Sequence, residues 1–290
     1  MANEQEKNLH NVDSVHELER LLNSGANINE RNVFYETPLI TALRREVDFE
    51  VIRCFVQLGS DVNAKDCWGV SPLYCAVARH GRNLKLIKLL LDNGADIEGG
   101  KQINDRFLDH NVTHNLLCMK LLIKYKFLRN AHLLDLSFRP SSNLNRNYYE
   151  EYKAVVALDL KPSCYRYLRK FLDSCAAEVV RMLTVYVGPS VSLHHFITDS
   201  LLAEIPRKRC EPAAKEILDG VLAEILRKKY LIYGDMITSK IGRVHLIGKI
   251  CEQLHHHAPV GENFPYHIVL DNVAKYFNKE ELMNIVKAFK

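Results

Sequence analysis

The feature that most constrains this chain is a self-similarity with a period of 34–35 residues in its first half. Three segments align: Leu21-Leu22-Asn23-Ser24-Gly25-Ala26-Asn27-Ile28-Asn29, Phe55-Val56-Gln57-Leu58-Gly59-Ser60-Asp61-Val62-Asn63 and Leu90-Leu91-Asp92-Asn93-Gly94-Ala95-Asp96-Ile97-Glu98. A second motif interleaves with them, Thr37-Pro38-Leu39-Ile40-Thr41-Ala42 and Ser71-Pro72-Leu73-Tyr74-Cys75-Ala76, again 34 residues apart. Two motifs in phase mark a repeat array rather than a single packed core. Thr37 and Ser71 suit helix N-caps, because their hydroxyls accept from an otherwise unpaired backbone N–H. Pro38 and Pro72 suit the first helical position, where no donor is needed. Val51, Ile52, Phe55 and Val56, like Ile87, Leu90 and Leu91, recur at helical spacing. They predict a second helix in each unit, ended by Gly59 or Gly94 in a left-handed cap. One such unit has no partner for its own apolar face, so neighbours must stack.

These residues resemble ankyrin repeats. The first unit opens at Val15, with Val15, Leu18, Leu21 and Leu22 in one helical stripe. A fourth, degenerate unit is expected over 115–127, where Leu121-Leu122 matches Leu90-Leu91 but Tyr125 replaces the glycine. The reading is a tail over 1–14, three to four repeats over 15–130, a transition over 131–160 and a helical domain over 161–290. The resemblance implies a binding surface for another protein at the hairpin tips, near 29–36 and 63–70. Tyr35, Asp66 and Trp68 are the candidate target-contacting residues there. Tyr35 stands where a glycine usually precedes the Thr-Pro pair, whereas Gly69 keeps it. Trp68 either packs on a neighbouring repeat or meets the target.

Composition narrows the function classes. With 290 residues, 47% hydrophobic and 26% charged, the chain is too apolar for intrinsic disorder. No run of about 18 apolar residues suggests a membrane span, and the first ten residues lack the apolar stretch of a secretory signal. Eight scattered cysteines without a C-x-x-C pair read as reduced thiols, so the expected setting is cytoplasmic or nuclear. The net charge of +4 is modest. Arg207-Lys208-Arg209 and Arg227-Lys228-Lys229 read as cations at helix ends, and no nucleic-acid partner is expected.

Beyond Arg139-Pro140-Ser141-Ser142-Asn143, a breaker-rich stretch, the pattern is consecutive helices: 163–175, 177–186, 192–204, 213–230 and 235–256. The last residues are more distinctive. Pro265 opens a helix lined by Ile268, Val269, Val273 and Phe277, and Asn278 with Glu281 forms a capping-box-like start for a helix carrying Leu282, Ile285 and Val286. This pair, over 264–289, resembles an F-box-like motif: Phe264, Pro265, Ile268, Val273, Phe277, Glu281 and Leu282 occupy its places. Ankyrin repeats followed by such an end resemble the PRANC family (Pox proteins Repeats of ANkyrin, C-terminal), found in poxviruses and in some parasitic insects and bacteria. That resemblance implies a Skp-family adaptor of cullin-RING ubiquitin ligases as a second partner, docked through the F-box-like residues.

The sequence holds no G-x-x-x-x-G-K-[ST], G-x-G-x-x-G, H-E-x-x-H or G-x-S-x-G, the short signatures of common catalytic and nucleotide sites. His245, Cys251, His255, His256 and His257 lack the paired spacing of a zinc site. Cys164, Cys175, His194 and His195 read as core thiols and a surface His-His pair. The expectation is an all-α, non-enzymatic protein without cofactor or metal: a short ankyrin solenoid and a helical C-terminal domain. Its expected role is that of a substrate receptor linking a bound target to a Skp-cullin-F-box ligase. The alternative is a decoy resembling IκB-type inhibitors, which sequesters a transcription factor such as NF-κB without ubiquitination.

Overall fold

Thr37 and Ser71 cap helices as their sequence context requires. The Thr37 hydroxyl accepts from the Ile40 N–H and the Ser71 hydroxyl from the Tyr74 N–H, at 3.4 and 3.2 Å. The structure, a computed structural model, describes residues 8–80, 83–98, 112–135, 147–158, 160–185, 192–198, 227–240 and 242. The regular elements among these residues are helical: α1 (Val15–Asn23), α2 (Pro38–Arg45), α3 (Phe49–Gln57), α4 (Pro72–His80), α5 (Leu84–Asp92), α6 (Val112–Arg129), α7 (Tyr148–Val156), α8 (Pro162–Tyr167), α9 (Arg169–Thr184) and α10 (Leu193–Thr198), with 3₁₀ turns at Leu9–Asn11 and Ala131–Leu133 and further helical residues over 227–229 and 234–240. No described helix is long and apolar enough to cross a membrane.

The chain divides into two units, the first made of residues 1–126 and 145–169. Within it, α2 packs on α3 and α4, α4 on α5, α1 on α3 and α3 on α5. This is the order of a stack in which each helix pair covers the next. Leu39, Ile40, Leu43, Phe55, Leu73, Ala76, Ile87 and Leu90 are fully buried between the layers. Each such leucine, isoleucine or phenylalanine side chain contributes about 1.5–3 kcal/mol by leaving water. The three repeat glycines close their helices identically. Gly25, Gly59 and Gly94 have φ of 93, 95 and 86°. The residue after each donates its N–H to the carbonyl five positions back, Ala26 to Leu21, Ser60 to Phe55 and Ala95 to Leu90, at 2.9–3.1 Å. Left-handed backbone at this position makes glycine the unstrained choice.

The ends of the stack differ from the sequence expectation. The fold begins before Val15: Leu9 and Val12 are 1% exposed, and the Arg45 guanidinium donates to the carbonyls of His10 and Val12 and pairs with Asp13 at 2.5 Å. Residues 9–14 therefore cover the first apolar layer instead of forming a free tail. At the other end, α6 runs through Tyr125 to Arg129. Without a glycine nothing stops the helix there; the Tyr125 hydroxyl instead donates to Asp92, and Lys126 pairs with Glu98. Residues 148–156, placed by sequence in a transition, form α7, capped by Asn147. Tyr149 of α7 meets Tyr165 of α8 edge-on at 5.3 Å.

The second unit comprises residues 127–144 and 170–290. Its main described helix, α9, runs unbroken through Cys175-Ala176-Ala177, where two helices were expected; the break falls at Leu168, the cap of α8. The Glu178 carboxylate is buried and accepts from the N–H groups of Ile232 and Tyr233 at 3.0–3.1 Å. Arg181 lies over the Tyr230 ring at 5.7 Å. One acidic side chain thus secures the turn that leads into the helix at 234–240. The expected surface His-His pair is also revised. His194 is buried, with Nε2 2.8 Å from the Leu128 carbonyl, and His195 bonds Ser192.

Candidate protein-binding surface

The hairpin tips are built by two side chains in equivalent positions, Asn32 and Asp66. Asn32 Oδ1 accepts from the N–H groups of Phe34 and Glu36, at 2.9 and 3.0 Å. Asp66 Oδ1 accepts from those of Trp68 and Val70, both at 2.8 Å. The backbone repeats the pattern: Asn32 N–H to Glu36 O and Tyr35 N–H to Asn32 O, then Asp66 N–H to Val70 O and Gly69 N–H to Asp66 O. Each is a three-residue loop whose last residue is left-handed, Tyr35 in one and Gly69 in the other.

Folding the polar groups inward turns the apolar side chains outward. Val33, Phe34, Tyr35 and Trp68 are 88, 50, 63 and 56% exposed. Phe34 and Trp68 stack at 5.6 Å with 24° between their planes, and the Arg44 guanidinium lies over the indole at 5.4 Å. A cluster of exposed aromatics on a rigid frame is the kind of surface that binds a protein partner.

Arg44 connects the two tips. It pairs with Glu36 of the first and Asp66 of the second, both at 2.5 Å. The backbone adds Cys67 N–H to Phe34 O at 3.0 Å, and Arg31 donates to the carbonyls of Tyr35 and Lys65 at 2.9 and 2.8 Å. Behind the tips, Asn29 receives the Asp61 N–H and donates to the Gly59 carbonyl; Asn63 does the same with Asp96 and Gly94. Neighbouring repeats are thus fastened through polar side chains as well as through the core. Burial raises the Cys75 thiol above its ordinary range, against the opposing pull of Arg44, and pushes Cys118 up to about 11.

Of the three sequence-predicted tip residues, Tyr35 and Trp68 are exposed, and Trp68 both packs on a neighbouring tip and keeps an open edge. Asp66 is corrected: its side chain is fully buried beneath the loop, so it positions the tip and presents no carboxylate to a target. Phe34, Val33 and Arg44 were missed. Phe34 lies 34 residues before Trp68, the period of the Thr-Pro motif, so the alignment of the two tips already held the signal. Phe264, Pro265, Ile268, Val273, Phe277, Glu281 and Leu282 lie outside the described residues. Among the described residues, no group of His, Cys, Asp and Glu could hold a metal ion.

Known proteins agree with this architecture. Residues 9–99 match the ankyrin repeats family in three copies. The chain is 26% identical over 176 residues to Ankyrin repeat protein OPG189 of Vaccinia virus, covering 59% of this chain and 29% of that protein. It is 27% identical over 154 residues to the Variola virus protein of the same name, covering 51% and 25%. It is also 44% identical over 75 residues to Potassium channel GORK of Arabidopsis thaliana, covering 26% and 9%. The chain thus matches less than a third of the length of each of these relatives. No solved structure gives a significant match. Sequence period, stacked helix pairs and family match converge: residues 9–99 are a three-copy array of ankyrin repeats, of the kind carried by poxvirus ankyrin repeat proteins.

Proposed function

We propose that this chain is a non-enzymatic protein-interaction adaptor that holds a target protein on its ankyrin tips and brings it to a ubiquitin ligase. The observation that carries the reading is the exposed Phe34–Trp68 stack on a hairpin frame fastened by Arg44, Asn32 and Asp66. The second half of the proposal rests on the C-terminal sequence. Phe264, Pro265, Ile268, Val273, Phe277, Glu281 and Leu282 resemble an F-box-like motif, and such a motif docks a Skp-family adaptor. Ubiquitin transfer then follows from proximity, since tethering raises the effective concentration of target at the ligase. The proposed setting is the cytoplasm, where a cullin-RING ligase and its substrates meet.

Co-purification tests the ligase link. The chain recovers a Skp-family adaptor from cells, and Pro265→Ala with Leu282→Ala loses it while retaining the target. Equal recovery of the adaptor by the folded double variant contradicts the docking assignment. Target abundance then separates delivery from simple holding: delivery lowers it when the chain is expressed, and sequestration leaves it constant.

A further inference from the structure

The two tips carry a second repeated feature beside the aromatic pair. Arg31 and Lys65 are also 34 residues apart, each three positions before its aromatic, Phe34 or Trp68. Both cations are exposed. Arg31 spends one guanidinium nitrogen on the carbonyls of Tyr35 and Lys65, and neither cation has a carboxylate partner among the described residues.

The carboxylates nearby are otherwise engaged. Glu36 and Asp66 are buried against Arg44. Glu30 turns toward His10 at 3.9 Å, and Asp61 accepts from the Asn63 N–H on the shoulder of the second tip. The outward face of the tips therefore carries one cation on each tip, Arg31 and Lys65, beside the exposed Phe34, Tyr35 and Trp68.

We infer that the segment seated across these tips is an acidic, extended peptide chain, its carboxylates meeting Arg31 and Lys65 and its apolar side chains the Phe34–Trp68 edge. This rests on the tips being the target-binding surface. Neighbouring helices of a stack lie about 8–10 Å apart, and an extended chain advances about 3.3 Å per residue. One acidic and one apolar residue recurring about every third position thus keeps step with the repeats. A nucleic acid also offers anions and stacking faces, but residues 1–136 hold 17 Lys/Arg against 18 Asp/Glu, without the basic excess that such binding draws on.

The test is fluorescence anisotropy on the full chain at low salt, with two labelled peptides, four repeats of Asp-Gly-Phe and four of Asn-Gly-Phe. The acidic peptide binds about tenfold more tightly, the sum of two exposed charge pairs. Lys65→Glu, which replaces one attractive pair by a repulsive one at a side chain with no partner among the described residues, brings the preference to about parity, and Arg31→Glu with Lys65→Glu reverses it. Trp68→Ala weakens both peptides. Equal binding of the two peptides, binding of neither, an unchanged preference in Lys65→Glu, or tighter binding of an oligothymidylate overturns the inference. If Trp68→Ala weakens both peptides equally but wild type does not discriminate between them, the acidic class alone fails. If Trp68→Ala binds both as wild type does, the tip surface itself is wrong.

Discussion

Tyr35 holds the same left-handed backbone conformation as Gly69, with φ of 60° against 74°, one repeat apart and at the same place in the loop. A side chain in that region costs about 1–2 kcal/mol, offset in part by the extra chain entropy that a glycine loses on folding. The same position carries a large aromatic ring on the first tip, 63% exposed. Tyr35→Gly is expected to raise stability by up to about 1 kcal/mol in a urea melt and to weaken target binding. A variant that is destabilised, or that binds its target as wild type does, contradicts this assignment.

Asp66 organises the second tip and Asn32 the first through the same two backbone contacts, so an amide suffices for that part of the task. Asp66 additionally neutralises Arg44. Asp66→Ala leaves two loop N–H groups and a half-covered guanidinium without their acceptor and is expected to cost about 3 kcal/mol. Asp66→Asn retains the loop contacts and is expected to cost about 1 kcal/mol. Chemical denaturation of both variants gives the order, and equal losses would show that the loop contacts contribute nothing.

His10 lies against Thr41, 2.9 Å from its hydroxyl, with burial pulling the imidazole below its usual 6.5 despite Glu30 and Glu36. The native state therefore holds fewer protons on this ring than the unfolded chain does. Its contribution is fully present above the unfolded value and is lost progressively as pH falls from there through the lower folded value. His194, likewise pulled down by burial, acts in the same direction in the second unit. Thermal melts at neutral and mildly acidic pH are expected to show a smaller acid loss for His10→Asn than for wild type. An identical loss removes His10 from the explanation.

Cys67 sits exposed between Asp66 and Trp68, whereas Cys75 and Cys118 are buried and held protonated. Thiol reactivity follows exposure and thiolate content. Brief alkylation followed by peptide mapping is expected to label Cys67 well before Cys75 or Cys118. A target seated on the tips is expected to slow labelling of Cys67 alone among the three. Unaltered Cys67 labelling in the complex places the target elsewhere.

Much of the array was legible because its determinants are local. Thr37, Pro38 and the three helix-ending glycines act on their own backbone within a turn, so spacing alone reveals them. Asp66 was misread because its environment is made by residues distant in sequence: Arg44 approaches from the preceding helix pair and draws the carboxylate inward. The entry to the stack was missed for the same reason, since Leu9 and Val12 become core only once Arg45 holds their segment against α2. His194 carries no sequence mark of the Leu128 carbonyl that it meets. Periodicity locates the frame, while the charge pairs that decide which way a tip residue points belong to the assembled stack.

In the proposed function, the Phe34–Trp68 stack is where a protein partner docks. The most direct test of this docking is quantitative capture of cellular partners by the full chain and by Phe34→Ser with Trp68→Ser, after equal melting curves establish that both fold. Removal of two central aromatics is expected to cost at least about 2 kcal/mol of binding, or about 30-fold. The target is expected to disappear from the variant's partners while any C-terminally bound adaptor remains. Recovery of the same target at the same level by the variant would contradict it.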